Sequence, residues 1–450
     1  MEISTFNDDL FELEDFSRQL DDFISTEHDY VEGSLVIALT SKYGSGKTTF
    51  LEMWKSSMSN SDNSADKPLV ISLNAWESDY CGDPLFAIIS ALIECLEING
   101  KKNQVDKLVN AAKKLGLFVA VIGNQLATKM TGIDMGAASA AVKKKEDKHE
   151  QATQTIPDTF SVYQSRKSAM ESLKCEIKSI VAEFKPRVLF LVDELDRCRP
   201  DYAIAYLETI KHIFDIKGAV FLLAADRQQL ENSAKMAFGQ DLDFEEYYRK
   251  FIHREITLPK ITDAGYEKLA HKYVTFYTER EEKRYCYVKF DDNQINNISK
   301  LIGSLKLTPR QIQEVFRILG HILSTSKDNA GRLVLVFRIN SIIMSVFKVG
   351  NPEIFHTLGS QELKHDKAMN YLKQILDSDE EAEWYFLFLL HGGGIHINKG
   401  EKKYELIKHL DLVDLDKNFM RNDPDRHFEY LGPAPIAQIY KRIEQISQWA

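Results

Sequence analysis

Leu35-Val36-Ile37-Ala38-Leu39-Thr40-Ser41-Lys42-Tyr43-Gly44-Ser45-Gly46-Lys47-Thr48-Thr49 is the stretch on which the fold turns. An apolar, β-forming run breaks into a short loop with two glycines, and Phe50-Leu51-Glu52-Met53-Trp54 then reads as helix. Against the phosphate-loop pattern G-x-x-x-x-G-K-[ST], the last three fixed positions stand, and Ser41 takes the place of the opening glycine. Gly44 and Gly46 let the backbone curl so that successive N–H groups face one anion, and the helix that follows aims its positive end at the same point. Tyr43, Gly44, Ser45, Gly46, Lys47, Thr48 and Thr49 are therefore the expected phosphate-binding set. Lys47 would reach the β- and γ-phosphates, and the Thr48 hydroxyl would face Mg²⁺.

Val188-Leu189-Phe190-Leu191-Val192-Asp193-Glu194 supplies the complement, an apolar strand that ends in two carboxylates. Asp193 is expected to hold Mg²⁺ with Thr48, and Glu194 to orient and polarise an attacking water. A strand-end acid pair by itself also serves as a helix cap. The interval between loop and acids is informative. Two βαβ crossovers would separate Lys47 from such an aspartate by about 60 residues, whereas 193 − 47 gives 146. About 80 residues are thus inserted. Residues 100–168 differ in composition from the rest, with a Gly/Ala-rich stretch from Leu115 to Val142 and a charge run at 143–150, and they fit that insertion.

Leu69 to Leu73 and Ala219 to Ala225 are two further apolar runs. Strands apolar on both faces are buried on both faces, which implies a parallel sheet covered by helices. At the tip of the last run stand Asp226 and Arg227. Asp226 can sense a γ-phosphate or cap the next helix. Ahead of the sheet, Leu10, Phe11, Leu13, Phe16, Leu20 and Phe23 recur at helical steps. Trp76, just after a strand, is expected to fill the seam between sheet and helix. After Pro259 the pattern turns helical almost to the end, and Thr308-Pro309-Arg310-Gln311 opens one helix with a capping box. His391-Gly392-Gly393-Gly394-Ile395-His396 reads as a glycine hinge after an apolar helix, since no nucleophile elbow or further metal ligand accompanies it. Arg310, as a lid sensor, and then Arg249, as a finger in trans, rank first among the arginines that could offset transition-state charge. Arg197, Arg199 and Arg254, the last read as lying ahead of a fifth strand, follow.

Composition sets limits on all of this. A 450-residue chain with 44% hydrophobic residues builds real cores. Its net charge of −10 argues against unselective binding to nucleic-acid backbones, so any such contact needs a local lysine patch. Five scattered cysteines without a CxxC pair fit neither a disulfide framework nor a zinc module and suggest a reducing compartment. The Met1 to Asp22 segment lacks secretory features, and the apolar run of Leu115 to Gly123 is too short to span a bilayer. A cytoplasmic protein with no integral membrane segment is expected.

Assembled, these residues resemble the KAP family of P-loop NTPases. The matching pieces are Tyr43 to Thr48, Leu73-Asn74-Ala75-Trp76-Glu77, Asp193-Glu194-Leu195-Asp196-Arg197-Cys198-Arg199-Pro200, Phe221 to Arg227, and Tyr247 to Pro259. The resemblance implies an ATPase core of the additional-strand, catalytic-glutamate type, with a helical insertion between the Walker A loop and the Walker B strand. It also implies frequent links to phage exclusion. The resulting expectation is an α/β P-loop NTPase with an all-α C-terminal region. Residues 1–99 and 169–260 form the core, 100–168 the insertion, 261–350 a helical lid and 351–450 a helical partner-interaction domain. Functionally it is an ATP- and Mg²⁺-dependent hydrolase that switches or assembles a larger complex, with a homo-oligomer or an effector such as a nuclease as partner. An ATP-gated scaffold with little turnover, or a DNA-directed motor, are the alternatives.

Overall fold

The computed structural model describes residues 4–41, 44–60, 67–115, 159–279, 292–324, 335–398 and 435–448. The chain divides into two compact units, Met1–Pro259 and Lys260–Ala450.

The first unit is built on five parallel strands: β1 (Leu35–Thr40), β2 (Leu69–Asn74), β3 (Val188–Asp193), β4 (Ala219–Ala225) and β5 (Arg254–Thr257), in the order β2-β3-β4-β1-β5. β4 therefore stands between the loop strand and the acid strand, the additional-strand arrangement. In β3, Val188, Phe190 and Val192 enter one buried cluster, while Leu189 and Leu191 enter the other. Alternate side chains of a strand point to opposite faces, so a strand that is apolar throughout needs helices on both sides. One side is covered by α1 (Leu13–Tyr30) and α2 (Lys47–Asn60). The other carries α4 (Pro84–Ile98), α5 (residues 102–115), α6 (Thr159–Glu183) and α7 (Pro200–Ile213), after the short α3 (Ala75–Asp79). Phe190 and Phe221 stack at 4.4 Å between neighbouring strands. α8 (Arg227–Phe238) and α9 (Phe244–Arg249) lead into β5.

Several expectations need correction here. β2 is not buried on both faces: its exposure alternates and Ser72 is open to solvent, because β2 is an edge strand. The N-terminal helix begins only at Leu13, after a single 3₁₀ turn at Phe6–Asp8, because the Asp9 carboxylate takes up the Phe11 and Leu13 amides. Arg254 lies inside β5 rather than ahead of it. Of the expected insertion, residues 116–158 lie outside the described residues.

The second unit contains α10 (Asp263–Glu279) packed on α11 (Asp292–Ser304), then α12 (Pro309–Ser324), α13 (Leu335–Gly350), α14 (Pro352–Gly359), α15 (His365–Ile375), α16 (Asp379–His391) and α17 (Pro435–Gln448). The capping box forms as its residues dictate. Gln311 N–H donates to the Thr308 hydroxyl at 3.4 Å, and Thr308 N–H donates to the Gln311 side-chain Oε1 at 2.9 Å. Among its described residues this unit is helical apart from one short parallel pair, β6 (Leu363–Lys364) with β7 (Ile395–His396), where a purely helical pattern was expected. Two-residue strands leave no readable periodicity. The glycines at 392–394 close α16 and run close to other elements. A Cβ on Gly392 would stand 2.3 Å from Asn340 Nδ2. Among the described residues no helix is long and apolar enough to cross a membrane.

Candidate active site

Register puts the site together. Asn74 is paired with Asp193, Asp193 with Ala224, and Thr40 with Ala225, so the C-terminal ends of β2, β3, β4 and β1 finish on one line. Ligands of open parallel sheets bind at that edge. The loop after β1 starts at Ser41 and enters α2 at Lys47, with Gly44 at φ 79° and Gly46 at φ 92°. Those values favour glycine, and a Cβ on Gly46 would meet only open space, so the room beside it is available to a ligand. Ser45 Oγ is buried and bonds no other atom. A buried hydroxyl without a partner is costly unless a ligand satisfies it. Tyr43 lies outside the described residues.

Lys47 is nearly buried, and its Nζ donates to the Ser41 carbonyl at 2.6 Å, closing the loop on itself. Ser41, standing where the pattern has glycine, accepts the Leu258 N–H on its hydroxyl at 3.2 Å and so ties the loop to the exit of β5. Thr48 is exposed at the first turn of α2, and its side chain stands near enough to the Asp193 carboxyl to favour the charged form. Thr49 follows it, half-buried. Burial pushes the Asp193 carboxyl above its ordinary value, against the influence of the Thr48 hydroxyl, the hydrogen bond from Glu194 N–H and the charge of Lys47. A carboxylate held in that state gains from a cation beside it. Among the described residues no cluster of three or more His, Cys, Asp or Glu forms a metal cage. One carboxylate and one hydroxyl with substrate oxygens is how Mg²⁺ is ordinarily taken.

Glu194 follows in the left-handed region, φ 59°. Its Oε2 accepts from Asn74 Nδ2 at 3.2 Å, and its Oε1 pairs with Arg197 Nη1 at 2.8 Å. The same Asn74 caps α3 through its Oδ1. Arg197 lies over the Trp76 ring, 5.5 Å from the centroid, and Trp76 is 51% exposed, so it does not fill the expected seam. Farther out, Asp79 accepts the Arg199 backbone N–H at 2.9 Å and its Nε at 3.0 Å, while Arg199 Nη2 donates to the Asp79 carbonyl. The segment Asn74–Asp79 and the segment Asp193–Arg199 are thereby clasped at three places. Both were legible as motifs. That they touch was not, because strand neighbours cannot be read from spacing.

Asp226 spends its carboxylate on the Gln228 N–H as the cap of α8. Arg227 is held by Glu245 and Glu255 and lies over Phe244 and Tyr248. Arg249 is exposed at the end of α9, and Arg310 is exposed on the first turn of α12 in the second unit.

No curated protein matches the sequence. Among solved structures, the Aeropyrum pernix ORC2 protein in its ADPNP–ADP complexes is similar over 98% of this chain and 95% of that one, with 11% identity and a TM-score of 0.35. The model of the KAP family P-loop domain matches residues 14–325, a span that runs from α1 past the end of α12. It covers the loop, both acids and the strand between them, and the chain belongs to this family of nucleotide-binding P-loop NTPases.

Proposed function

We propose that the chain is a Mg²⁺-dependent ATP hydrolase that uses nucleotide binding and turnover to switch or assemble a larger complex. The observation that carries this reading is the shared sheet edge at which the β1 loop enters α2 at Lys47 and β3 ends in Asp193, with Glu194 next in the chain and a buried, unpartnered Ser45 hydroxyl in the loop. The loop amides, the Lys47 ammonium and the unpartnered Ser45 hydroxyl bind the phosphates. Thr48 and Asp193 would hold Mg²⁺, which neutralises charge on the phosphate oxygens when bound. Glu194 takes a proton from water as the water oxygen bonds to the γ-phosphorus. The bond from that phosphorus to the bridging oxygen breaks, and ADP leaves with its electron pair. Tyr43 and Thr49 complete the loop, Asp226 stands at the sensor-strand tip, and Arg310 or Arg249 offsets transition-state charge.

In this reading residues 1–99 and 169–260 are the core, 100–168 a helical insertion, 261–350 a lid and 351–450 the surface for a second copy or an effector protein. A cytoplasmic setting in antiphage defence is the one the resemblance suggests. The test is steady-state hydrolysis by the full chain. Lys47→Ala is expected to abolish ATP binding, whereas Glu194→Gln keeps binding and loses about 10²- to 10⁴-fold in turnover. Undiminished turnover in Glu194→Gln would sink the assignment of the base. A second reading, an ATP-gated scaffold with little turnover, is favoured by one observation: both Glu194 oxygens are already engaged. Assembly size that ignores ATP and ADP alike in light scattering would count against it.

A further inference from the structure

Resting on the hydrolase reading, the geometry points to Arg197 as a positioning residue that holds the Glu194 carboxylate back from water, with the Trp76 ring as the seat that keeps the guanidinium in place. A water-activating carboxylate needs an oxygen free to receive a proton. Here Oε1 faces the Arg197 guanidinium at 2.8 Å and Oε2 faces the Asn74 amide. A water reaching Oε1 must therefore displace the guanidinium. The pair is no solvated surface contact: the two side chains are only 26% and 15% exposed, which weakens screening.

Arg197 is not alone in fastening the two segments together. Asp79 and Arg199 join them as well, with three hydrogen bonds and a nearly buried carboxylate. What Arg197 adds is a cation shared between a carboxylate and an aromatic face. A half-exposed tryptophan over which a guanidinium lies is a shallow seat, since such contacts are weak where water reaches them. The Glu194 backbone supports the arrangement. Its left-handed conformation begins the 3₁₀ turn Leu195–Arg197, which returns Arg197 toward the carboxylate three residues behind it. Turnover then requires the guanidinium to leave Glu194, and the stability of its seat sets how often that happens.

The test is hydrolysis by the full-length chain, with kcat and KM for ATP measured separately. Arg197→Met is expected to raise kcat about tenfold with KM and melting temperature unchanged, a split that a merely structural residue would not produce. Trp76→Ala raises kcat by a smaller factor, and Arg197→Lys, which keeps the cation but not the planar stacking, falls between wild type and Arg197→Met. A kcat that is unchanged or lower in Arg197→Met overturns the inference. Should that variant lose its melting transition, Trp76→Ala decides: a kcat no higher than wild type overturns it. Turnover that needs Glu194 but ignores both substitutions removes this inference alone. ATP binding without turnover in wild type and both variants removes the hydrolase reading with it.

Discussion

Asp79 and Arg199 show how unequal the two ends of one ion pair can be. The Asp79 side chain is 10% exposed and the Arg199 side chain 57%. Removing the arginine strands a nearly buried carboxylate, whereas removing the aspartate leaves a guanidinium that water solvates. Arg199→Ala is therefore expected to lower the melting temperature more than Asp79→Ala, and the reverse order in thermal denaturation would contradict the clasp. Cys198, in the second of those segments, is buried, and its thiol is pushed up to about 12 by desolvation and by the nearby carboxylates of Asp79, Asp196 and Glu194. A thiol so held is a poor nucleophile. Native-state alkylation should modify the exposed Cys81 and Cys175 and spare Cys198 until the chain is unfolded, as mass spectrometry of the labelled protein would show.

Two histidines fasten elements of the first unit by accepting backbone amides. His28, in α1, takes the Gly218 N–H on Nε2 at 3.1 Å, and His253 takes the Val36 N–H on Nδ1 at 3.0 Å. Burial pushes both below their ordinary 6.5, so the folded form carries neutral rings. The unfolded chain then takes up protons first as pH falls. Stability is full above 6.5 and drains away as pH drops from there toward the lower folded values. His28→Gln combined with His253→Gln should flatten that acid slope in chemical denaturation between about pH 7 and 5. Thr308→Ala in the capping box of α12 is expected to cost about 1 kcal/mol. Elements of this kind were largely legible. β1, β3 and β4 announce themselves as apolar runs buried on both faces, and Thr308-Pro309-Arg310-Gln311 carries its own start signal. β6 and β7 could not be read, because a two-residue strand owes its existence to a partner some thirty residues away rather than to local pattern.

At the scale of the whole chain, the split at Pro259 leaves every sequence-derived phosphate and Mg²⁺ residue in the first unit. Two cores imply two cooperative transitions in calorimetry. Mg²⁺-ATP at about a hundred times its dissociation constant should add about 2.7 kcal/mol to the first unit's transition. A single transition that moves as a whole would mean that the units unfold as one. The loop and the acid pair could be placed from spacing alone. Asn74 beside Glu194 could not, since it depends on β2 lying next to β3, and several strand orders share the same chain order. The exposure of Trp76 escaped for a related reason: residues after a buried strand usually turn inward, but here the strand is at the edge of the sheet.

Ser41 gives this division a practical edge. A protein engineer comparing the loop with its pattern would restore the missing glycine as an obvious repair. The hydroxyl that repair deletes is the rivet that joins the loop to Leu258, one residue before the first unit ends. Completing the motif would thus loosen the loop from the chain that leaves β5, and what looks like a blemish in the consensus works as a fastening.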